Sequence, residues 1–185
     1  VETILYFVRH AESEYVEGKE RIRGLSEQGK LDANVVKDIL RSEDIDEFVS
    51  SPYERSIETI RLAATEHRKH IQIEEDLRER GIGDFSPATF KEAKRDVFKN
   101  FKLAFPRGES SEEAQIRAIS ALRGVIERNK GKKIVIGTHG DIMTLMFNYF
   151  DKQYGFQFWE STSMPDIYKL RLEENQLMKV ERLWK

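Results

Sequence analysis

The chain has no cysteine among its 185 residues. That absence excludes disulfides, thiolate zinc sites and cysteine nucleophiles, and it leans toward a reducing compartment, the cytoplasm. There is no apolar run of about 18 residues, so no segment reads as a bilayer-spanning helix. The apolar stretch Ile4–Val8 is too short for a signal peptide and has no basic region before it. No charge of either sign dominates. A net charge of -2 gives no footprint for nucleic acid or an anionic membrane. Low-complexity tracts, internal repeats, linkers and a Gly-x4-Gly-Lys-Ser/Thr phosphate loop are all missing. Asp44-Ile-Asp46 lacks the preceding buried strand and the following Gly-Thr of a magnesium-dependent aspartyl phosphatase.

What remains is 39% hydrophobic, enough for a real core at this length, and it reads as one domain over residues 1–185. Thr3–Val8 is continuously apolar, the pattern of a strand covered on both faces. Ser26 is placed to cap a helix carrying Leu31, Val35, Val36, Ile39 and Leu40 on one side. Glu47–Ser50 is a second strand, and Pro52 opens a helix with Ile57, Ile60 and Ala64 inward. Ile71–Ile73 is a short third strand. Ser110-Ser-Glu-Glu113 makes a capping box for a helix to about Asn129, stopped by Gly131. Lys133–Ile136 is another buried strand, followed by an apolar helix Ile142–Phe150. Tyr168–Leu172 and Leu177–Leu183 alternate as a terminal hairpin. Strands alternating with helices predict an α/β fold with a mostly parallel central sheet. In segment 85–106, Phe90, Phe98, Phe101 and Phe105 crowd a helical stretch between Pro87 and Pro106. They are read as core, with a lid covering the substrate as the second reading.

Ligands of open parallel sheets bind beyond the carboxyl ends of the strands. Three such ends carry unusual residues: Arg9-His10, Ser50-Ser51 with Arg55 on the next helix, and Thr138-His139-Gly140. If those strands are neighbours, two histidines and two arginines converge, and Glu79 can join them. The set suits phosphoryl transfer. A phosphoryl group spreads charge over three oxygens and needs a cationic cradle. Arginine offers paired donors, and the amide at Gly140 opens a helix with its positive dipole end. A neutral imidazole attacks phosphorus, and a carboxylic acid protonates the leaving oxygen. Glu74, Glu75, Asp76 and Asp84 compete with Glu79 for the acid's place, while His67 and His70, among Arg68 and Lys69, read as solvated surface rather than as metal ligands.

These residues resemble a known family in order along nearly the whole chain. Arg9-His10-Ala11-Glu12-Ser13 resembles the Arg-His-Gly-Glu-Thr motif of the histidine phosphatase superfamily, the phosphoglycerate mutase-like proteins. Leu25-Ser26-Glu27-Gln28-Gly29 is similar to its turn into the first helix. Ser50-Ser51-Pro52 with Arg55 and Thr59, Leu77-Arg78-Glu79, Gly108-Glu109-Ser110 and Thr138-His139-Gly140 are similar to its later motifs. The resemblance implies a three-layer α/β/α fold, His10 as nucleophile and Glu79 as proton donor. It implies that Arg9, Arg55 and His139 hold the phosphoryl oxygens, with Ser13 as a further contact, and that no metal or other cofactor is needed. Ala11 stands in place of glycine, Val16 where many members have a phosphate-contacting asparagine, and Thr138 and Asp141 around the second histidine also depart from the pattern.

The implied partner is a phosphorylated small molecule. Hydrolysis is favoured over mutase chemistry because only about 14 residues separate Glu12 from Glu27, leaving little to cover the site. A phosphohistidine protein phosphatase is a third reading. The complete set of His10, Arg9, Arg55, Glu79 and His139 argues against a non-enzymatic phosphate-binding protein. Natural substrate and oligomeric state are not written in these residues.

Overall fold

A computed structural model describes residues 1–185. Six strands form one sheet: β1 (Glu2–Arg9), β2 (Glu47–Ser50), β3 (Ile71–Ile73), β4 (Lys133–Thr138), β5 (Asp166–Glu173) and β6 (Gln176–Arg182). Their spatial order is β3-β2-β4-β1-β5-β6. The first four run parallel, while β5 and β6 are antiparallel additions at one edge. The β5–β6 hairpin turns on Glu174 and Asn175, both at positive φ (47° and 68°), the geometry that matches strand twist in a two-residue hairpin.

Six helices cover the sheet: α1 (Glu27–Leu40), α2 (Glu54–Glu66), α3 (Phe90–Lys99), α4 (Ser111–Arg128), α5 (Gly140–Phe150) and α6 (Phe156–Ser161). Side chains alternate across a strand, so the apolar run of β1 serves both faces. Tyr6 and Val8 pack with Val36, Leu40, Ile60 and Ala63 of α1 and α2. Leu5 and Phe7 pack on the opposite face with Leu122, Val125, Met143 and Phe147 of α4 and α5. The result is helix, sheet, helix.

Several sequence expectations shift. Leu31 and Val35 are exposed, and the buried stripe of α1 is Gly29, Ala33, Val36 and Leu40. That stripe follows three- and four-residue steps, and position 31 falls on the other side of a 3.6-residue turn. Pro52 precedes α2 rather than opening it; Tyr53 is the N-cap. His67 is half-buried, bonded through Nε2 to the Leu40 carbonyl at 3.0 Å and tilted against Phe48, while His70 is exposed. Segment 85–106 divides: Ala93, Val97 and Phe98 are buried, whereas Phe90 is half-exposed against Phe85 and Trp159. The short aromatic helix α6 has no counterpart in the sequence reading. Both capping boxes, Thr89–Glu92 on α3 and Ser110–Glu113 on α4, are formed; each such cap contributes about 1 kcal/mol. No helix is long and apolar enough to cross a membrane.

Candidate functional site

The register of the central strands makes the site. Arg9 sits beside Thr138, and Ser50 beside Gly137. One residue further on, the His10 amide donates to the Thr138 carbonyl at 3.1 Å, and the Ser51 amide to the Gly137 carbonyl at 3.0 Å. The ends of β1, β4 and β2 thus bring Arg9-His10, His139-Gly140 and Ser51 together. The rings of His10 and His139 lie 5.2 Å apart, centroid to centroid.

His10 is buried and its tautomer is set. Its Nδ1 stands 2.8 Å from the Ala11 carbonyl, which can only accept, so Nδ1 carries the proton. Nε2 then keeps its lone pair, and Arg55 Nε donates to it across 3.3 Å. Burial pushes the imidazole from 6.5 down to about 3; the Ala11 carbonyl pulls the other way, and Arg55, Arg9 and Arg23 add to the fall. His10 is therefore neutral at neutral pH. The loop that carries it is pinned from below. The Ala11 amide donates to Thr59 Oγ1 at 2.9 Å, and Ser26 donates its amide to the Glu12 carbonyl at 2.9 Å. Gly29 is required there, since a Cβ would lie 2.2 Å from the Glu12 carbonyl oxygen.

Arg9 lies over Gly140 and donates Nη1 to Thr162 Oγ1 at 2.7 Å. A side chain at 140 would put Cβ 2.7 Å from Arg9 Cζ, so glycine clears the space for the guanidinium. Two buried nitrogens in this cluster, Arg9 Nε and His139 Nδ1, have no hydrogen-bond partner in the chain. His139 Nε2 is 2.8 Å from Ser51 Oγ, and burial holds this imidazole well below its ordinary value, with His10, Arg55 and Arg9 adding to the effect. Arg55, 2% exposed, is braced from outside by Glu20, whose carbonyl and carboxylate accept from Nη1 at 2.6 Å and Nη2 at 3.0 Å.

Glu79 reaches the same floor from the segment after a single 3-10 turn, Glu75–Leu77. It is half-buried and held by three backbone amides. Oε1 accepts from Ile142 at 2.7 Å and Arg80 at 3.0 Å, and Oε2 from Asp141 at 3.1 Å. Withdrawal from water and then the Asp141 carboxylate raise its pKa, against Lys94 and the α5 amides. The competing acids are engaged elsewhere: Glu74 with Arg128, Glu75 with Arg21, Asp76 with Arg78, and Asp84 with Arg107.

Ser13 and the α5 amides that follow Gly140 have partners within the chain. Ser13 Oγ donates to the Gly24 carbonyl at 2.6 Å and accepts from Arg23 Nη1 at 2.8 Å. The first-turn amides of α5 at 141 and 142 are directed to Glu79. Residues that sequence reasoning passed over are Glu20, Arg23, Thr162, Arg80 and Lys94; Asp141 stood out only as a departure from the family pattern, not as the centre of a buried charge cluster. Arg23 lies in a run of exposed charges that gives no hint of its Ser13 contact. Nowhere do three or more His, Cys, Asp or Glu side chains gather as a metal site would require.

Comparison with known proteins bears on the family and the fold. The model of the histidine phosphatase superfamily, branch 1, matches residues 5–181. Phosphoglycerate mutase-like protein 4 of Arabidopsis thaliana is 29% identical over 156 residues, covering 76% of this chain and 67% of that protein. Among solved structures, a mycobacterial glucosyl-3-phosphoglycerate phosphatase superimposes with TM-score 0.75 at 17% identity, over 98% of this chain and 97% of that one. The phosphoserine phosphatase of Entamoeba histolytica, solved with phosphoserine, gives TM-score 0.76 at 20% identity over 96% of each chain. At these identities the superpositions speak to the fold, which is the phosphoglycerate mutase-like α/β fold.

Proposed function

Because the chain belongs to the histidine phosphatase superfamily, branch 1, and is an enzyme of the phosphatase class, we propose that it hydrolyses small phosphomonoesters through a phosphohistidine at His10, without a metal. The observation that carries this reading is the buried, neutral His10, its Nε2 unprotonated and its ring 5.2 Å from that of His139, in a cluster where two buried nitrogens, Arg9 Nε and His139 Nδ1, have no partner in the chain.

The steps follow from these groups. Nε2 of His10 attacks phosphorus, and the bond from phosphorus to the ester oxygen breaks. Arg9, Arg55 and His139 hold the equatorial oxygens, whose charge their donors stabilise. Glu79, protonated, gives its proton to the departing oxygen. As a carboxylate it then takes a proton from water while the water oxygen attacks phosphorus. The P–N bond breaks, and His10 returns neutral with inorganic phosphate released. The cations of the site supply the charge that a metal would bring in other phosphatases.

Segment 85–106 connects to this site through Lys94, which lies between Phe90 and Trp159 of α6 and is bonded to Asp141 behind Glu79. Substrates resembling those named for the relatives, phosphoserine and a phosphoglycerate ester, are the first to try. Phosphate release should be measured on a panel of phosphorylated metabolites and phosphopeptides after dialysis against a strong chelator. The reading expects release from a small monoester, undiminished by the chelator. Activity lost and restored by magnesium or zinc, or transfer of phosphate between hydroxyls with none released to water, would contradict it.

A further inference from the structure

A cluster of buried charges lies directly behind Glu79. Asp141, on the first turn of α5, is 1% exposed. Its carboxylate accepts from Arg80 Nε at 2.9 Å and Nη2 at 3.0 Å, and from Lys94 Nζ of α3. Lys94 is itself buried, its Nζ 5.2 Å from the ring centroid of Phe90 and 5.6 Å from that of Trp159. Arg80 is fixed further by the Glu109 carbonyl at 3.1 Å. The same Asp141 donates its amide to Glu79 Oε2, so both carboxyl groups belong to one rigid unit.

Such a cluster is poor value as a stabiliser. Desolvating three charges costs about as much as their attraction returns, and apolar replacements of buried ion pairs are often as stable. Its place next to a half-buried carboxyl group suggests another use. Burial alone would favour a neutral Asp141, but Lys94 and Arg80 keep it ionised. A fixed negative charge therefore stands beside Glu79, partly offset by Lys94. Arg80, paired with the same carboxylate and next to Glu79 in the chain, offsets that charge further, and Arg9 from β1, Arg55 from α2 and Arg117 from α4 also act on Glu79.

We propose that Asp141 and Lys94 are positioning residues for the acid step, Asp141 favouring the protonated form of Glu79 and Lys94 opposing it. The proposal rests on the reading of Glu79 as proton donor. Their opposition keeps Glu79 between the two extremes, able both to give a proton to the leaving oxygen and to take one from water.

The test is a carboxyl carbon-13 NMR titration of the full chain labelled on glutamate, with the Glu79 resonance identified by its loss in Glu79→Gln. Asp141→Asn should lower the Glu79 midpoint by about one pH unit or more, and Lys94→Met should raise it. The alkaline limb of kcat/KM for an alkyl phosphate should move in the same two directions. A midpoint unmoved in both variants, or moved the same way by both, overturns the proposal. Should Asp141→Asn fail to fold, Lys94→Met decides alone: a raised midpoint supports the proposal and an unmoved or lowered one overturns it. Because the titration needs no turnover, its failure is distinct from failure of the functional reading, which would appear as a wild type that releases no phosphate from any monoester.

Discussion

His10 and Glu79 face the same site yet are displaced in opposite directions by one cause. Withdrawal from water disfavours whichever form is charged. It lowers the imidazole to about 3 and raises the carboxyl group. The neighbours reinforce the split. Arg55, Arg9 and Arg23 crowd the histidine with positive charge, and the Asp141 carboxylate, opposed by Lys94, acts on the carboxyl group. Both groups are therefore pushed toward their uncharged forms, the histidine with an unprotonated Nε2 and the glutamic acid keeping its proton. In the proposed reaction this one low-dielectric floor would serve a nucleophile and an acid together, because burial favours the neutral form of a base and of an acid alike.

Removing the nucleophile breaks the comparison outright. His10→Ala should leave turnover at the limit of detection on every ester while the fold persists, because the side chain sits past the end of β1, outside the apolar clusters that hold the sheet to its helices; steady-state kinetics with circular dichroism checks both. Glu79→Gln sharpens it. Loss of a general acid costs about 10²–10⁴-fold, and that loss should fall on the first phosphoryl transfer from an alkyl ester. A nitrophenyl ester, whose leaving group needs no proton, should instead show a burst followed by slow turnover. Equal losses in the first transfer for both esters, read by pre-steady-state kinetics, would remove Glu79 from the acid's role.

A smaller effect is expected at Gly140. In Gly140→Ala the new methyl group would displace the Arg9 guanidinium, and loss of a charge-assisted hydrogen bond of about 1.5–3 kcal/mol should raise KM for phosphomonoesters roughly tenfold or more, with kcat less affected. Inhibition by inorganic phosphate should weaken in parallel.

The smallest effect is on stability, and there the two groups should separate by sign. His10 titrates lower in the fold than in the unfolded chain, so between pH 6.5 and about 3 the unfolded chain binds the extra proton. Stability then falls as pH falls, by about 1.4 kcal/mol per pH unit. Glu79 titrates higher in the fold, so its contribution is present in acid and is lost as pH rises. Between pH 4.5 and 6.5, His10→Ala should flatten the fall of urea-unfolding stability on acidification, and Glu79→Gln should steepen it.

The strand-end half of the site was legible in the sequence for a physical reason. A continuously apolar strand that stops at Arg9-His10 announces both its own burial and the rim where its polar residues must surface. The pairing of β1 with β4 and of β4 with β2 then does the rest. The helix starts were equally legible, since Ser26 and Ser110 cap through local chemistry. Glu79 was placed by its order after Leu77 rather than by any periodic signal. The Arg80–Asp141–Lys94 cluster was not legible. Lys94 lies in the run Lys91-Glu-Ala-Lys-Arg-Asp96, which in isolation is the solvent face of an amphipathic helix, and only docking against α5 and α6 buries it. Leu31 and Val35 erred the other way, as apolar residues that local pattern took for core and that packing left outside.

The most direct test of the central claim is to mix enzyme with phosphorus-32-labelled phosphomonoester, quench in the millisecond range, and locate the label on the chain. The account predicts an alkali-stable, acid-labile phosphoryl group, about one per chain, on the peptide containing His10, absent in His10→Ala and longer-lived in Glu79→Gln. Turnover with no protein-bound label at any quench time, or label on a hydroxyl or carboxyl side chain instead, would contradict it.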